Sequence, residues 1–229
     1  MPETRRATLN VTSLGELPSR RGQITQTLHA AVVSGELETG VIYSAPALAA
    51  QFGVSATPVR EAMIDLAREG LVEILRTKGF RVREPTPEQL RDMLELRLLV
   101  EVPTVRRIAA AGIASSQRDA LHILAQATVE TAQNHEVLGH VAADLRFHLG
   151  LLALAGNAET VDVIRGLRSR SRLYGLRSAE KQAFLVRSAP EHLQILELVA
   201  AGDAEGAETL MHDHIARVGT NWSPANKPA

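Results

Sequence analysis

From Gln23 to Val33 the apolar residues Ile24, Leu28, Ala31 and Val32 recur at the spacing of one helix face, and Gly35 ends the run. A second short helix is predicted from Ala45 to Phe52, with Gly53 placed where a left-handed residue closes a helix. Val59, Ala62, Met63, Leu66 and Ala67 make the stripe of a third helix, with Thr57 as its cap, Pro58 in its first turn and Gly70 as its stop. Leu71–Leu75 and Phe80–Val82 read as two short strands joined by a tight Arg-Thr-Lys-Gly connection. The two prolines of EPTPEQ mark a boundary, and the chain beyond them reads as helix. One helix runs from about Pro87 to Ala111, with Pro103 as an expected kink. Ser116 and Asp119 suggest a capping box for the next. Another ends at Ala155-Gly156, and Asn157 caps its successor. Pro190 opens a helix through Ala201, and Gly202-Asp203 separates that from a last helix ending near Val218.

This pattern divides the chain into an arm over residues 1–19, a head of three helices and a two-stranded ribbon over 20–84, an all-α antiparallel bundle over 85–219, and a tail over 220–229. The fold class is mainly α. Aromatic residues make up only 3%, so Ala, Leu, Val and Ile must fill the core, which favours helices. The absence of cysteine excludes disulfides and thiolate metal sites and is compatible with the cytoplasmic location expected here. No apolar run reaches the roughly 20 residues of a bilayer span, and MPETRRATLN lacks the apolar centre of a signal peptide, so no membrane partner is expected.

A net charge of −1 excludes a uniformly basic nucleic-acid binder. Local charge points the other way: Arg76, Lys78, Arg81 and Arg83 fall in one short stretch without an acid. Three helices followed by a two-stranded wing form a winged helix-turn-helix, in which the third helix enters the DNA major groove with its first residues against the base edges. Those residues are Ser55, Ala56, Thr57 and Arg60. Arg60 suits bidentate contact with guanine. The hydroxyls of Ser55 and Thr57 suit phosphate oxygens, and Lys78 and Gly79 bring charge and an uncluttered backbone to the neighbouring groove. The plain alternative is that Arg60 and the wing cations are simply solvated.

Chemistry of a second kind lies in the bundle. Of the eight histidines only His29 precedes residue 86. On the helix marked by Val141, Leu145, Leu152 and Ala155, Asp144 and His148 are four residues apart on the apolar face. His192 joins the stripe of Ile195, Leu196 and Val199, and His214 joins that of Ala207, Leu210, Met211, Ile215 and Val218, whereas His212 points away. One carboxylate and three imidazoles thus face the interior, where an unpartnered carboxylate is costly. A shared divalent cation satisfies all four; zinc suits the set best, with nickel or manganese as alternatives. Core histidines bonded to backbone or to Asp144 are the plain alternative. His135 and His140 lie off the stripes and read as solvated, and Arg146, Arg165, Arg168 and Arg172 as polar-face positions.

GVSATPVREAMIDLAREGLVE, with ALAAQFG before it and KGFRV after it, resembles the GntR family of bacterial regulators. The family's DNA-contacting positions correspond to Ser55, Thr57, Arg60, Lys78 and Gly79. Many members carry a basic residue where Ala56 stands and another near Pro46; the resemblance therefore implies DNA binding but not which operator sequence is read. ELRLLVE, DLRFHLGLLALAGN, EHLQILELVAAGD and AETLMHDHIARV resemble the FCD effector domain of the FadR subfamily. In metal-binding members of that subfamily the ligands fall at Asp144, His148, His192 and His214. The resemblance implies a small-molecule effector, commonly a carboxylate. Arg97, within ELRLLVE, is a candidate to pair with it, or else forms an intramolecular ion pair.

The expectation is a homodimeric repressor that reads a palindromic duplex operator and answers to a small carboxylate at a metal-containing pocket. Two alternatives stand beside it: a regulator for which the metal itself is the signal, and a metallohydrolase with a DNA-binding appendage. No HExxH-like Glu accompanies the four ligands, which speaks against the hydrolase, so no catalytic residue is expected.

Overall fold

A computed structural model of the chain describes residues 20–171 and 179–220. The head opens with α1 (Arg20–Ser34), a short strand β1 (Ile42–Tyr43), α2 (Ala45–Phe52) and α3 (Ala56–Arg68), followed by β2 (Val72–Leu75) and β3 (Gly79–Val82). Ile24, Leu28 and Val32 of α1 pack with Leu48 of α2, Val59, Met63 and Leu66 of α3, and Phe80 and Val82 of β3. Each such side chain contributes about 1.5–3 kcal/mol on full burial. The N-cap Ser44 accepts a bond from the Ala47 amide at 3.2 Å, and Gly53 closes α2 in the left-handed region at φ 63°.

Two expectations for the head need correction. The ribbon is a three-stranded antiparallel sheet in the order β1-β3-β2. A strand of two residues is too short to declare itself by alternation. The cap of α3 is Ser55 rather than Thr57, which lies inside the first turn; Ser55 makes no side-chain cap bond.

The second core belongs to seven helices: α4 (Pro87–Ala111), α5 (Ser115–Gln133), α6 (Val137–Ala153), α7 (Ala158–Ser171), α8 (Ala179–Ser188), α9 (Glu191–Ala201) and α10 (Ala204–Thr220). α4 packs chiefly on α10, and α5 on α6 and α9. Val105, Phe147, Leu151, Leu152, Ile164, Ile195, Leu196, Met211 and Ile215 fill the space between. Thr86 caps α4 through a capping box with Gln89. Asn157 caps α7, accepting from the Thr160 amide at 3.2 Å. The capping box read from Ser116 and Asp119 is displaced: α5 begins at Ser115, and the Gln117 side chain accepts from the Ala114 amide. The pattern gave no sign of α8. None of the helices among the described residues is long and apolar enough to cross a membrane.

The head meets the bundle where α1 packs against α6, and again where a side chain of α7 reaches it. The Arg170 side chain lies over Gly70, close enough that a Cβ at Gly70 would sit 2.9 Å from Arg170 Cδ.

Candidate functional site

At the head, Ser55, Thr57 and Arg60 are exposed at the start of α3, and Lys78 is exposed at the tip of the β2–β3 hairpin. No hydrogen bond or ion pair with another described residue holds the Arg60 or Lys78 side chain. Arg81, by contrast, lies 3.7 Å from Glu73 on the neighbouring strand. Gly79 has φ 118°, and a Cβ there would fall 2.3 Å from the Tyr43 carbonyl oxygen. Its glycine is therefore demanded by the close approach of β1, whatever the wing touches.

In the bundle, α6 carries Asp144 and His148, α9 carries His192 and α10 carries His214, and the fold brings all four together. One ligand atom from each lies within 4.8 Å of the others. His148 Nε2 is 3.2 Å from His192 Nε2. Asp144 Oδ1 is 3.4 Å from His192 Nε2 and 3.9 Å from His148 Nε2. None of the four is more than 4% exposed.

The far side of each ring fixes which nitrogen carries the proton. His192 Nδ1 donates to the Ala189 carbonyl at 2.9 Å, which leaves Nε2 as a lone pair. His214 Nδ1 lies 2.7 Å from Glu191 Oε2, and Arg217 holds the other oxygen of that carboxylate at 2.7 Å. Burial works against ionisation of Glu191, but the bonds from His214 and Arg217 outweigh it and draw its pKa down. Burial also pushes the His214 pKa down to about 4, despite Glu191, so its ring is neutral near pH 7.

His148 is the informative case. Its Nδ1 is 3.4 Å from Glu101 Oε2 without a well-aligned hydrogen bond. Burial first, and Arg168 second, hold its pKa well below the ordinary value, so it carries one proton. With that proton on Nε2, a lone pair faces the Glu101 carboxylate. With it on Nδ1, two lone pairs face each other across 3.2 Å. Neither tautomer suits both neighbours. A cation among the Nε2 atoms removes the conflict, because two imidazoles bound at zinc-like distances in a tetrahedron place their nitrogens about 3.3 Å apart. The residues present therefore fit a divalent ion, and the buried cluster could hold one.

Around the four lies a buried ionic net. Arg168, 1% exposed, donates to Asp144 Oδ2 at 3.0 Å and to Glu101 Oε2 at 2.6 Å. Arg97, 2% exposed, donates from Nε to Glu101 Oε1 at 2.8 Å. Burial opposes ionisation of Glu101, but Arg168 and Arg97 hold its pKa well below the usual carboxylate range. Arg97 thus forms the intramolecular pair that was the alternative to an anion contact. Arg168 is not a polar-face residue; Ile164, Leu167 and Ser171 share its buried side of α7. Arg146 and Arg165 are exposed as expected, and Arg172 lies outside the described residues. His140 is not solvated: it is 2% exposed, with Nδ1 3.0 Å from the Thr128 carbonyl oxygen on α5.

The sequence carried signals for the residues it did not yield. Glu101 follows Arg97 by four positions in ELRLLVE, Glu191 adjoins His192, and Arg168 recurs with Ile164 and Ser171 at helical spacing.

Comparison with known proteins bears on both halves. The family described as bacterial regulatory proteins, gntR family, matches residues 20–82, and the FCD domain matches residues 92–217. The chain belongs to the GntR family, with an FCD effector domain. This GntR regulator is 32% identical, over 87% of its length and 84% of the relative's, to an HTH-type transcriptional regulator in an unstable DNA locus of Streptomyces ambofaciens. It is 29% identical, over 81% of its length and 80% of the relative's, to a protein of Paenarthrobacter nicotinovorans named "Probable D-xylose utilization operon transcriptional repressor". A GntR-type regulator structure from Rhodococcus sp. RHA1 shares the fold at a TM-score of 0.76 and 24% identity, over 91% of this chain and all of that one. The winged head makes the protein a DNA-binding transcription regulator, and the FCD domain implies control by a small molecule.

Proposed function

We propose that this regulator is a homodimeric repressor, with residues 20–84 as the reader of a palindromic operator and residues 85–219 as the sensor of a small carboxylate. Arg60 reads a base edge, Ser55 and Thr57 hold phosphates at the start of α3, and Lys78 and Gly79 place the wing along the adjacent groove. The repressor sense is supported by the name of the Paenarthrobacter relative.

The observation that carries the sensing half is the buried convergence of one ligand atom each from Asp144, His148, His192 and His214, with Arg168 bonded to the other oxygen of Asp144. Asp144, His148, His192 and His214 would hold the metal, zinc in the first place and nickel or manganese otherwise. When bound, the ion supplies Lewis-acid positions for a ligand oxygen. Charge selects an anion there: Arg97 and Arg168 are balanced by Glu101 and Asp144, so a divalent cation adds positive charge that only an anionic ligand can offset in a water-poor interior. Arg97 acts on that ligand through Glu101, as a charge beside the pocket.

Elemental analysis and native mass spectrometry of the purified chain test this together with operator binding, the operator being selected from random duplexes. One divalent ion per chain is expected, absent from the His148→Ala/His192→Ala double variant, with small carboxylates changing operator affinity of the metal-loaded protein only. A double variant that keeps stoichiometric metal overturns the site. Operator affinity that follows free metal and ignores every carboxylate makes the ion itself the signal.

A further inference from the structure

Between the sheet of the head and the first turns of α4 lies an open cleft of about 720 Å3, which shares no residue with the four candidate metal ligands or with Glu101. Pockets for small ligands run to roughly 300–1,000 Å3 and favour domain boundaries. One wall is a face of the sheet. Arg81 stands opposite Glu73 in the register of β2 and β3. The bond from the Arg83 amide to the Leu71 carbonyl carries that ladder one pair further, so Arg83 projects on the same side as Arg81. The other wall is one face of α4, with Gln89, Asp92, Met93 and Leu96 inside two turns. Leu167 and Arg170 of α7 complete the lining.

The charged groups of the cleft divide into settled and unsettled ones. Arg81 has Glu73 at 3.7 Å. Arg83 has no hydrogen bond or ion pair with another described residue, and Arg170 uses only its Nε, on the Gly166 carbonyl at 3.1 Å. Glu84 and Asp92 are likewise without a partner among the described residues. The capping box of α4 takes the Thr86 hydroxyl oxygen and the Gln89 side-chain carbonyl as acceptors. It leaves the hydroxyl hydrogen of one and the amide hydrogens of the other as unused donors. Apolar surface comes from Met93, Leu167 and Leu96, the last 48% exposed.

Each of these groups narrows the occupant. Two unpaired guanidinium groups suit a carboxylate, and two unpaired carboxylates suit an ammonium. A ligand of one sign only would set like charge beside like. The donors of Thr86 and Gln89 suit a neutral carbonyl oxygen, and the apolar patch suits hydrocarbon side chains. A short peptide with free ends supplies all four features in one molecule. A single amino acid has no carbonyl beyond its carboxylate and leaves most of the volume to water. We infer that the cleft binds an apolar peptide two or three residues long, with its carboxylate toward Arg83 and Arg170 and its ammonium toward Asp92 and Glu84. One wall belongs to the head and the other to the bundle, so the bound peptide ties the two together. The inference is independent of the metal pocket.

Isothermal titration calorimetry of the full chain tests it, with di- and tripeptides of leucine, valine and phenylalanine as probes. At least one is expected to bind with a dissociation constant below about 1 mM. Acetylating its N-terminus and amidating its C-terminus are each expected to weaken binding about tenfold, as are Asp92→Asn and Arg170→Gln, because each removes a charge-assisted bond. Should Arg170→Gln loosen the fold, Arg83→Gln, at an exposed side chain, gives the same readout. Wild-type chain treated with a chelator is expected to bind the peptide unchanged. Failure of every probe to bind, or binding indifferent to the capped ends and to the variants, overturns the inference. Binding that survives acetylation but not amidation makes the cleft an anion site and overturns the zwitterionic occupant. Binding lost with the chelator puts the peptide at the metal pocket and overturns the cleft.

Discussion

Arg60 and Lys78 stand in water at the edge of the head, whereas Arg97 and Arg168 lie 2% and 1% exposed inside the bundle. In the function proposed above, positive charge serves recognition in two ways, at the head by meeting DNA and in the bundle by holding the carboxylates around the candidate metal site. A polyanion as large as DNA comes to the protein, so its readers can remain solvated and mobile until it arrives. A small ligand has to be enclosed, so the charges that receive it must be buried beforehand, and each buried charge needs a partner of its own. The head pairs Arg21, Arg68 and Arg81 with acids but leaves Arg60 and Lys78 uncommitted among the described residues, while the interior of the bundle commits its buried charges: Glu101 to two arginines, Asp144 to Arg168, Glu191 to His214 and Arg217.

The strongest way to break this contrast is to remove Glu101. Glu101→Ala leaves Arg97 and Arg168 buried without their shared carboxylate, and should destabilise the bundle by about 3–5 kcal/mol in denaturant unfolding. A loss below about 1 kcal/mol would mean the net is open to water. On the head, Arg60→Ala should weaken specific operator binding by about 1–3 kcal/mol with no change in melting temperature; unchanged affinity would remove α3 from the groove. Lys78→Ala is subtler, and should lower the salt slope of binding by about one while sparing sequence preference. A change in sequence preference would instead give Lys78 a base contact. The smallest effect sharpens the contrast within the head. His29 is its one histidine, and burial lowers its pKa. The unfolded chain therefore binds the proton first, and head stability should fall as pH drops below about 6.5. His29→Gln should flatten that part of the pH–stability curve; an unchanged curve would show that His29 takes its proton as readily folded as unfolded.

Legibility followed the same division. α2, closed by a left-handed glycine, and α4, bounded by Pro87 and Gly112, emerged from periodicity with the bounds the structure gives them. Asp144, His148, His192 and His214 were readable because each shares an apolar stripe, and the three stripes, on α6, α9 and α10, face one core. What periodicity could not supply was who stands behind them. Glu101 and Arg168 look, in sequence, like ordinary charges of two separate helices, and their pairing across 67 positions exists only once α4 and α7 are packed. His140 was misread for a related reason: its partner is a backbone carbonyl of another helix, and such acceptors leave no trace in residue type. The strand β1 escaped because Gly79, the residue that makes room for it, reads equally well as part of a wing.

Arg168 and Arg170 sit two positions apart on α7, so they leave the helix on different sides. One reaches the carboxylate that faces the histidines; the other lies across Gly70, just past the end of α3. A rotation of α7 about its own axis would therefore shift both contacts at once, the one at Asp144 and the one at Gly70.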